Sequence, residues 1–156
     1  MAYIIDGHNL VPKIPGLSLR NLDDETQLID LLVAFCRAAH TSVEVYFDGA
    51  PITSPPSVKS GPVTAYFVRK GTAADEAIIA RTLRLGKAAR NWKVVSSDHH
   101  VQVNARAAGT VILPSEEFAK LLAETLSRKP GVEGEPQSSP AEVQAWLEIF
   151  GRKPKG

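Results

Sequence analysis

Five short apolar runs punctuate the chain: AYII (2–5), VEVYF (43–47), VTAYFV (63–68), KVVS (93–96) and TVIL (110–113). Their apolar positions run together rather than alternating with polar ones, the pattern of strands covered on both faces, so the five are read as strands of one buried sheet. Between them apolar residues recur at three- and four-residue intervals, predicting helices over about 23–39, 74–90, 99–108 and 115–128. Asp23-Asp24-Glu25 opens the first helix and Ser115-Glu116-Glu117 the last. Carboxylates and hydroxyls at those places answer the unpaired amides and the positive end of a helix N-terminus. Strand–helix alternation then predicts an α/β fold with three layers, α/β/α, around a mostly parallel central sheet of about five strands.

Two segments break the alternation. Residues 50–62, APITSPPSVKSGP, are rich in proline and serine and are read as a loop beside the site. Residues 129–140, KPGVEGEPQSSP, read as a linker. Past it, Val143, Trp146, Leu147 and Phe150 sit at helical spacing, predicting a terminal helix that docks back on the domain. The expected organisation is a domain over 1–128, a linker over 129–140, and a C-terminal helix and tail over 141–156.

Composition narrows the class. A chain of 156 residues, 44% hydrophobic and 22% charged, can build one self-sufficient core. A net charge of +1 argues against a broad basic grip on a polyanion, so any such site must be local. Positive charge does concentrate mid-chain, at Lys59, Arg69, Lys70, Arg81, Arg84, Lys87, Arg90, Lys93 and Arg106. Cys36, the single cysteine, excludes an internal disulfide and reads as a small buried hydrophobe. MAYIIDGHNL lacks a basic region ahead of a long apolar run, and no apolar stretch approaches the ~20 residues of a membrane span. A cytoplasmic protein with no membrane partner is expected. Neither glycine-rich phosphate cradle occurs, nor a GxSxG elbow, so no nucleotide cofactor is indicated.

The carboxylates carry the chemistry. Asp6 directly follows AYII, Asp48 directly follows VEVYF, and Asp98 comes two residues after KVVS. Asp75 lies past VTAYFV and the turn Arg69-Lys70-Gly71-Thr72, where the next helix begins. In an open parallel sheet all carboxyl ends face one crevice, and ligands bind there. Each aspartate alone has an ordinary use in a turn or a helix start, and Thr72 to Asp75 has capping-box spacing. Four on one rim are harder to assign to turns. Crowded carboxylates repel one another and raise their own pKa values, a cost that a divalent cation removes. An all-oxygen crevice with few histidines suits Mg²⁺ or Mn²⁺, and phosphodiester hydrolysis is the natural chemistry of such an ion.

The motifs also resemble a family. Asp6-Gly7-His8-Asn9 resembles the DGYN-type opening of the YacP-like NYN domains, with His8 where tyrosine is common. Gly71-Thr72-Ala73-Ala74-Asp75, Val94-Val95-Ser96-Ser97-Asp98 followed by Gln102, Arg106-Ala107-Ala108-Gly109 and Ser115-Glu116-Glu117-Phe118 are similar to its later segments. The likeness covers about residues 1–125. It implies a PIN-like fold and a metal-dependent endoribonuclease, with Asp6, Asp75 and Asp98 as ligands or orienting metal-bound water, and Asp48 beside them. Asn9 would orient Asp6 or touch a phosphate. Ser96 and Ser97 would hold the strand-end turn or hydrogen-bond the carboxylates, and His8 is the one histidine placed to contact substrate. Arg81, Arg84 and Arg90 are the expected phosphate contacts, for RNA in a structured or ribosome-associated setting. A non-catalytic RNA-binding or ribosome-associated adaptor is the alternative. A phosphoaspartate phosphatase is disfavoured because no second aspartate stands two residues after Asp6.

Overall fold

The computed structural model describes residues 1–15, 17, 24–51, 53–69 and 73–127. The expected linker and C-terminal helix, the Lys70-Gly71-Thr72 turn and Asp23 lie outside the described residues. In chain order the elements are β1 (Ala2–Asp6), α1 (Gly7–Leu10), a 3₁₀ turn (Val11–Lys13), α2 (Asp24–Ala39), β2 (Val43–Ala50), β3 (Ser57–Ser60) and β4 (Val63–Arg69). There follow α3 (Ala74–Leu85), a second 3₁₀ turn (Gly86–Asn91), β5 (Trp92–Val95), α4 (His99–Ala107), β6 (Val111–Leu113) and α5 (Ser115–Ser127).

One six-stranded sheet has the order β3-β4-β2-β1-β5-β6. Every pairing is parallel except that of β3 with β4. The chain winds outward from β1 through β2 to β4, then crosses back to β5 on the other side of β1. The winding therefore reverses between β1 and β5, and the crevice above their carboxyl ends is the place where such sheets bind ligands.

Alternate residues of the buried strands feed two cores. Tyr3, Ile5, Val45 and Phe47 face α2 and α5, meeting Leu28, Leu32, Phe35, Phe118 and Leu122. Ile4, Tyr46 and Val94 face α3 and α4, meeting Ala74, Ile78, Val101 and Ala105. This is the α/β/α layering that the unbroken apolar runs require, since a strand with only one covered face would alternate with polar residues.

The structure corrects two expectations. Part of the 50–62 loop is a strand: Ser57–Ser60 pairs antiparallel with β4, turning through Gly61-Pro62 with Gly61 at φ 58°. An edge strand needs only one partner, so it tolerates the polar, proline-flanked composition that reads as loop. The helix expected over 74–90 stops at Leu85, because Gly86 takes φ 56°, and a 3₁₀ turn completes the segment. The one-turn α1 goes unannounced in the sequence, being too short for a period to show.

Candidate active site

The site is built outward from the corner where β1 becomes α1. A Cβ placed on Gly7 would lie 2.4 Å from the Phe47 ring and 2.9 Å from the Tyr46 carbonyl oxygen. Only glycine lets α1 approach β2 this closely, and that approach aims Asp6, His8 and Asn9 at the rim.

Asp6 stands at the reversal of the sheet. Ser96, fully buried just after β5, donates its hydroxyl to Asp6 Oδ2 at 3.3 Å. Ser96 is itself pinned: its Oγ accepts from the Asp98 amide at 3.0 Å, its carbonyl accepts from Gln102 Nε2 at 2.8 Å, and its amide donates to Leu113 at 3.2 Å. Burial pushes the Asp6 carboxyl up to about 6, the Ser96 hydrogen bond opposes this, and the negative charges of Asp48 and Asp98 add to it. Asp6 thus feels two of the other rim carboxylates, and no cation among the described residues offsets them.

Asn9 ties the two strand ends together. Its Oδ1 accepts from the Ser97 amide at 2.9 Å and from the Ser115 hydroxyl at 2.7 Å. Ser115, which the sequence marks as a cap for α5, thus donates its hydroxyl across to Asn9. Ser97 Oγ donates to Glu116 Oε1 at 2.6 Å and accepts from the Ser115 amide at 3.0 Å. Lys13 reaches Glu116 at 3.2 Å. The Ser97 hydrogen bond, then the Glu116 backbone amide and Lys13, hold this carboxyl well below the usual range.

The other aspartates are held differently. Asp98 caps α4, Oδ1 accepting from the His100 and Val101 amides at 2.9 and 3.2 Å; both bonds fall on one oxygen, so capping does not consume Oδ2. Asp75 lies in the first turn of α3, whose start packs against β1 and β2. Its buried Oδ1 has no hydrogen-bond partner among the described residues. Asp48 follows Phe47 in β2, just before the register shift at Gly49, and turns toward His8.

His8 bridges two carboxylates. Nδ1 lies 2.8 Å from Asp48 Oδ1 and Nε2 lies 2.6 Å from Glu25 Oε2, with the ring 5.3 Å from that of Phe47. Both nitrogens donate only in the imidazolium form. Glu25, and to a lesser degree Asp48, raise the His8 pKa, while burial opposes them. Glu25 was missed as a site residue; in sequence it reads only as a first-turn acid, and nothing local marks a partner 17 residues away.

Three expected phosphate contacts lie away from the rim. Arg81 forks onto Glu44, with Nε and Nη2 each at 2.8 Å, and stacks 5.3 Å over the Trp92 ring. Arg84 is exposed farther along α3 and Arg90 on the 3₁₀ turn beyond it. From Asp75, a rise of 1.5 Å per residue carries Arg84 roughly 13 Å along the helix. The side chains of the rim also converge less tightly than expected. Among the described residues no three acidic, histidine or cysteine side chains are grouped to hold one ion. Asp48 is turned to His8 and Asp98 to helix amides, so the four carboxylates do not form a closed cage.

A family profile for the YacP-like NYN domain matches residues 3–144. The chain belongs to the YacP-like NYN domain family. That family is one of PIN-like nucleases, and the fold agrees with it. The crystal structure of Rae1 (YacP) from Bacillus subtilis is similar at a TM-score of 0.72 and 19% identity, covering 97% of this chain and 88% of that one. The W164L mutant of the same protein gives 0.69 and 20%, over 96% and 91%. No curated protein matches the chain.

PIN-like nuclease domains generally use divalent metals, and the donors of this YacP-like NYN domain fit such an ion in kind. Asp75 Oδ1 is a buried oxygen without a hydrogen-bond partner among the described residues, Asp6 is pushed up by burial and, to a smaller degree, by like charges, and Asp98 keeps an oxygen outside its cap. Oxygen-only donors of this sort match Mg²⁺ or Mn²⁺ rather than a thiolate-seeking metal.

Proposed function

We propose that this protein is a metal-dependent endoribonuclease hydrolysing RNA phosphodiester bonds at the Asp6 rim. One observation carries the reading: Asp6 stands half-buried at the reversal of the sheet, and the buried Oδ1 of Asp75, at the start of α3, has no hydrogen-bond partner among the described residues. Asp6, Asp75 and Asp98, with Asp48 alongside, would hold Mg²⁺ or Mn²⁺. A divalent ion supplies polarisation of a phosphoryl oxygen and an acidified water. The chain's own work is positional. Ser96 orients Asp6, Asn9 locks the β1 and β5 ends in register through Ser97 and Ser115, and the α4 amides fix Asp98.

The test incubates wild type and Asp6→Asn with total RNA, with Mn²⁺ or with chelator, and maps new 5′ ends. New ends only with wild type and Mn²⁺ are expected; equal cleavage by Asp6→Asn would overturn the assignment. The second reading, a non-catalytic RNA-binding or ribosome-associated adaptor, is favoured by the His8–Asp48 pair, in which an imidazole nitrogen 2.8 Å away occupies one rim carboxylate oxygen. RNA binding with no Mn²⁺-dependent cleavage would select it.

A further inference from the structure

Away from the acidic rim, a depression of about 420 Å³ lies between α3 and the sheet, lined by Tyr46, Tyr66, Ala77, Ala80, Arg81 and Arg84. Tyr46 and Tyr66 are register partners on β2 and β4, and their rings stack at 4.8 Å and 17°. The stacking direction therefore runs across the strands, from β2 through β4 toward β3. The next position in that direction is Ser57, the β3 partner of Tyr66. Directly paired residues project to the same face of a sheet, so a serine stands where a third ring would complete the stack. Lys59, the partner of Thr64, projects to the same face two residues on and is exposed.

The charges flanking this vacancy are unequal. Arg81 is neutralised and immobilised by its fork onto Glu44 and its packing over Trp92, so it forms a wall of the depression. Arg84, four residues after Ala80 and on the same helix face, is exposed and has no ion-pair partner among the described residues. The small side chains of Ala77 and Ala80 leave Tyr66 half-exposed beside the buried Tyr46. An aromatic face with cations on both sides, and few aliphatic anchors, has the chemistry of a base-stacking platform rather than a protein-docking groove.

We propose that this shelf binds a single-stranded RNA segment, one base stacking on Tyr66 above Ser57 while Arg84 and Lys59 meet the adjoining phosphates. The shelf starts on the same helix that carries Asp75. Arg84 lies roughly 13 Å from Asp75 along that helix, about four stacked nucleotides at ~3.4 Å each. One RNA strand can reach both places. The identity of the ligand as RNA rests on the ribonuclease reading; the vacancy in the ring stack does not.

The experiment measures fluorescence anisotropy of a labelled oligoadenylate of about 12 nucleotides, within the usual site sizes, in chelator so that no cleavage intervenes. Full-length wild type is compared with Tyr66→Ala, Tyr66→Trp and Ser57→Phe, with a duplex of equal length as control. Tyr66→Ala is expected to weaken single-strand binding about tenfold and Tyr66→Trp to preserve it. Ser57→Phe, on an exposed edge strand, fills the vacancy with its own ring and should also weaken binding; it decides the matter if Tyr66→Ala fails to fold. Duplex affinity should not move. No single-strand binding by wild type, affinities of both weakening variants within about twofold of wild type, or equal losses on duplex would overturn the proposal. Cleavage of RNA by wild type with Mn²⁺ is scored in parallel. Cleavage without any Tyr66 or Ser57 effect sinks the shelf and keeps the nuclease, whereas binding that depends on both residues without cleavage does the reverse.

Discussion

The two halves of the acidic rim are built on opposite plans. On the β1/β5 side, Asp6, Asn9, Ser96, Ser97 and Ser115 form a continuous hydrogen-bonded net in which each side chain is fixed by at least one other. On the β2/α3 side, Asp48 is hydrogen-bonded to His8 and Asp75 keeps a buried oxygen without a partner among the described residues. The first half is organised before any ligand arrives; the second gains most from one. A rim of this kind separates positioning from charge demand, and the two can be perturbed independently.

The largest effect should come from removing the charge at the centre. Because burial raises the Asp6 pKa from 3.8 to about 6, the folded state keeps a proton that the unfolded chain releases. Stability is therefore lost as pH rises between those values, by on the order of 3 kcal/mol, and the loss is complete above about pH 6. Asp6→Asn should abolish Mn²⁺-dependent cleavage yet make the metal-free protein more stable at pH 7 by up to that amount, with the difference vanishing near pH 4. Urea denaturation at both pH values checks it, and a less stable variant at pH 7 would contradict the charge argument.

Metal comes next. Mn²⁺ at about 100 times its dissociation constant should add roughly 2.7 kcal/mol to stability, read as a rise in Tm that chelator reverses. Asp75→Asn should abolish most of that rise while leaving the chelated protein as stable as wild type; an unchanged Mn²⁺ response would remove Asp75 from the ligand set.

Asn9→Ala should cost about 2 kcal/mol in either condition, because it strands the Ser97 amide and the buried Ser115 hydroxyl together. Asn9→Asp, which retains the accepting oxygen, should recover part of it. A loss that appears only with metal present would move Asn9 from the preorganised half of the rim to the other.

The smallest effect belongs to His8→Phe, which keeps a ring beside Phe47 but deletes both donors. These half-exposed pairs contribute about 1 kcal/mol together. Since the folded His8 pKa is raised, that stabilisation is complete at pH values below the ordinary histidine range and disappears as pH climbs through the raised value. The variant should therefore match wild type most closely at alkaline pH, as thermal melts across a pH series would show.

The parallel sheet could be read from sequence because doubly covered strands leave uninterrupted apolar runs, as VEVYF and VTAYFV do. Asp6, Asp48 and Asp98 each stand at or just past an apolar run, which marks one sheet edge in the sequence alone. What escaped the reading depends on pairings between distant positions. Glu25 on His8 and Glu44 on Arg81 join residues 17 and 37 apart, and neither leaves a periodic trace. Arg81 is expected from the sequence to meet phosphate, yet Glu44 engages it within the fold. The partners of the rim aspartates are illegible for a related reason: the sequence brings them to one edge, but which helix amides and which histidine engage their oxygens is set by the fold.

The short antiparallel strand at the sheet margin has a further consequence. A parallel sheet ending at β4 would offer a row of unpaired backbone groups on which another copy could grow. Ser57–Ser60 covers that row with only four residues, bears the exposed Lys59, and follows Pro55-Pro56, which cannot donate to a neighbouring chain. Strand-by-strand self-association is thereby discouraged at that margin, and a lysine-to-valine exchange there would be expected to show first as turbidity on concentration, not as lost folding.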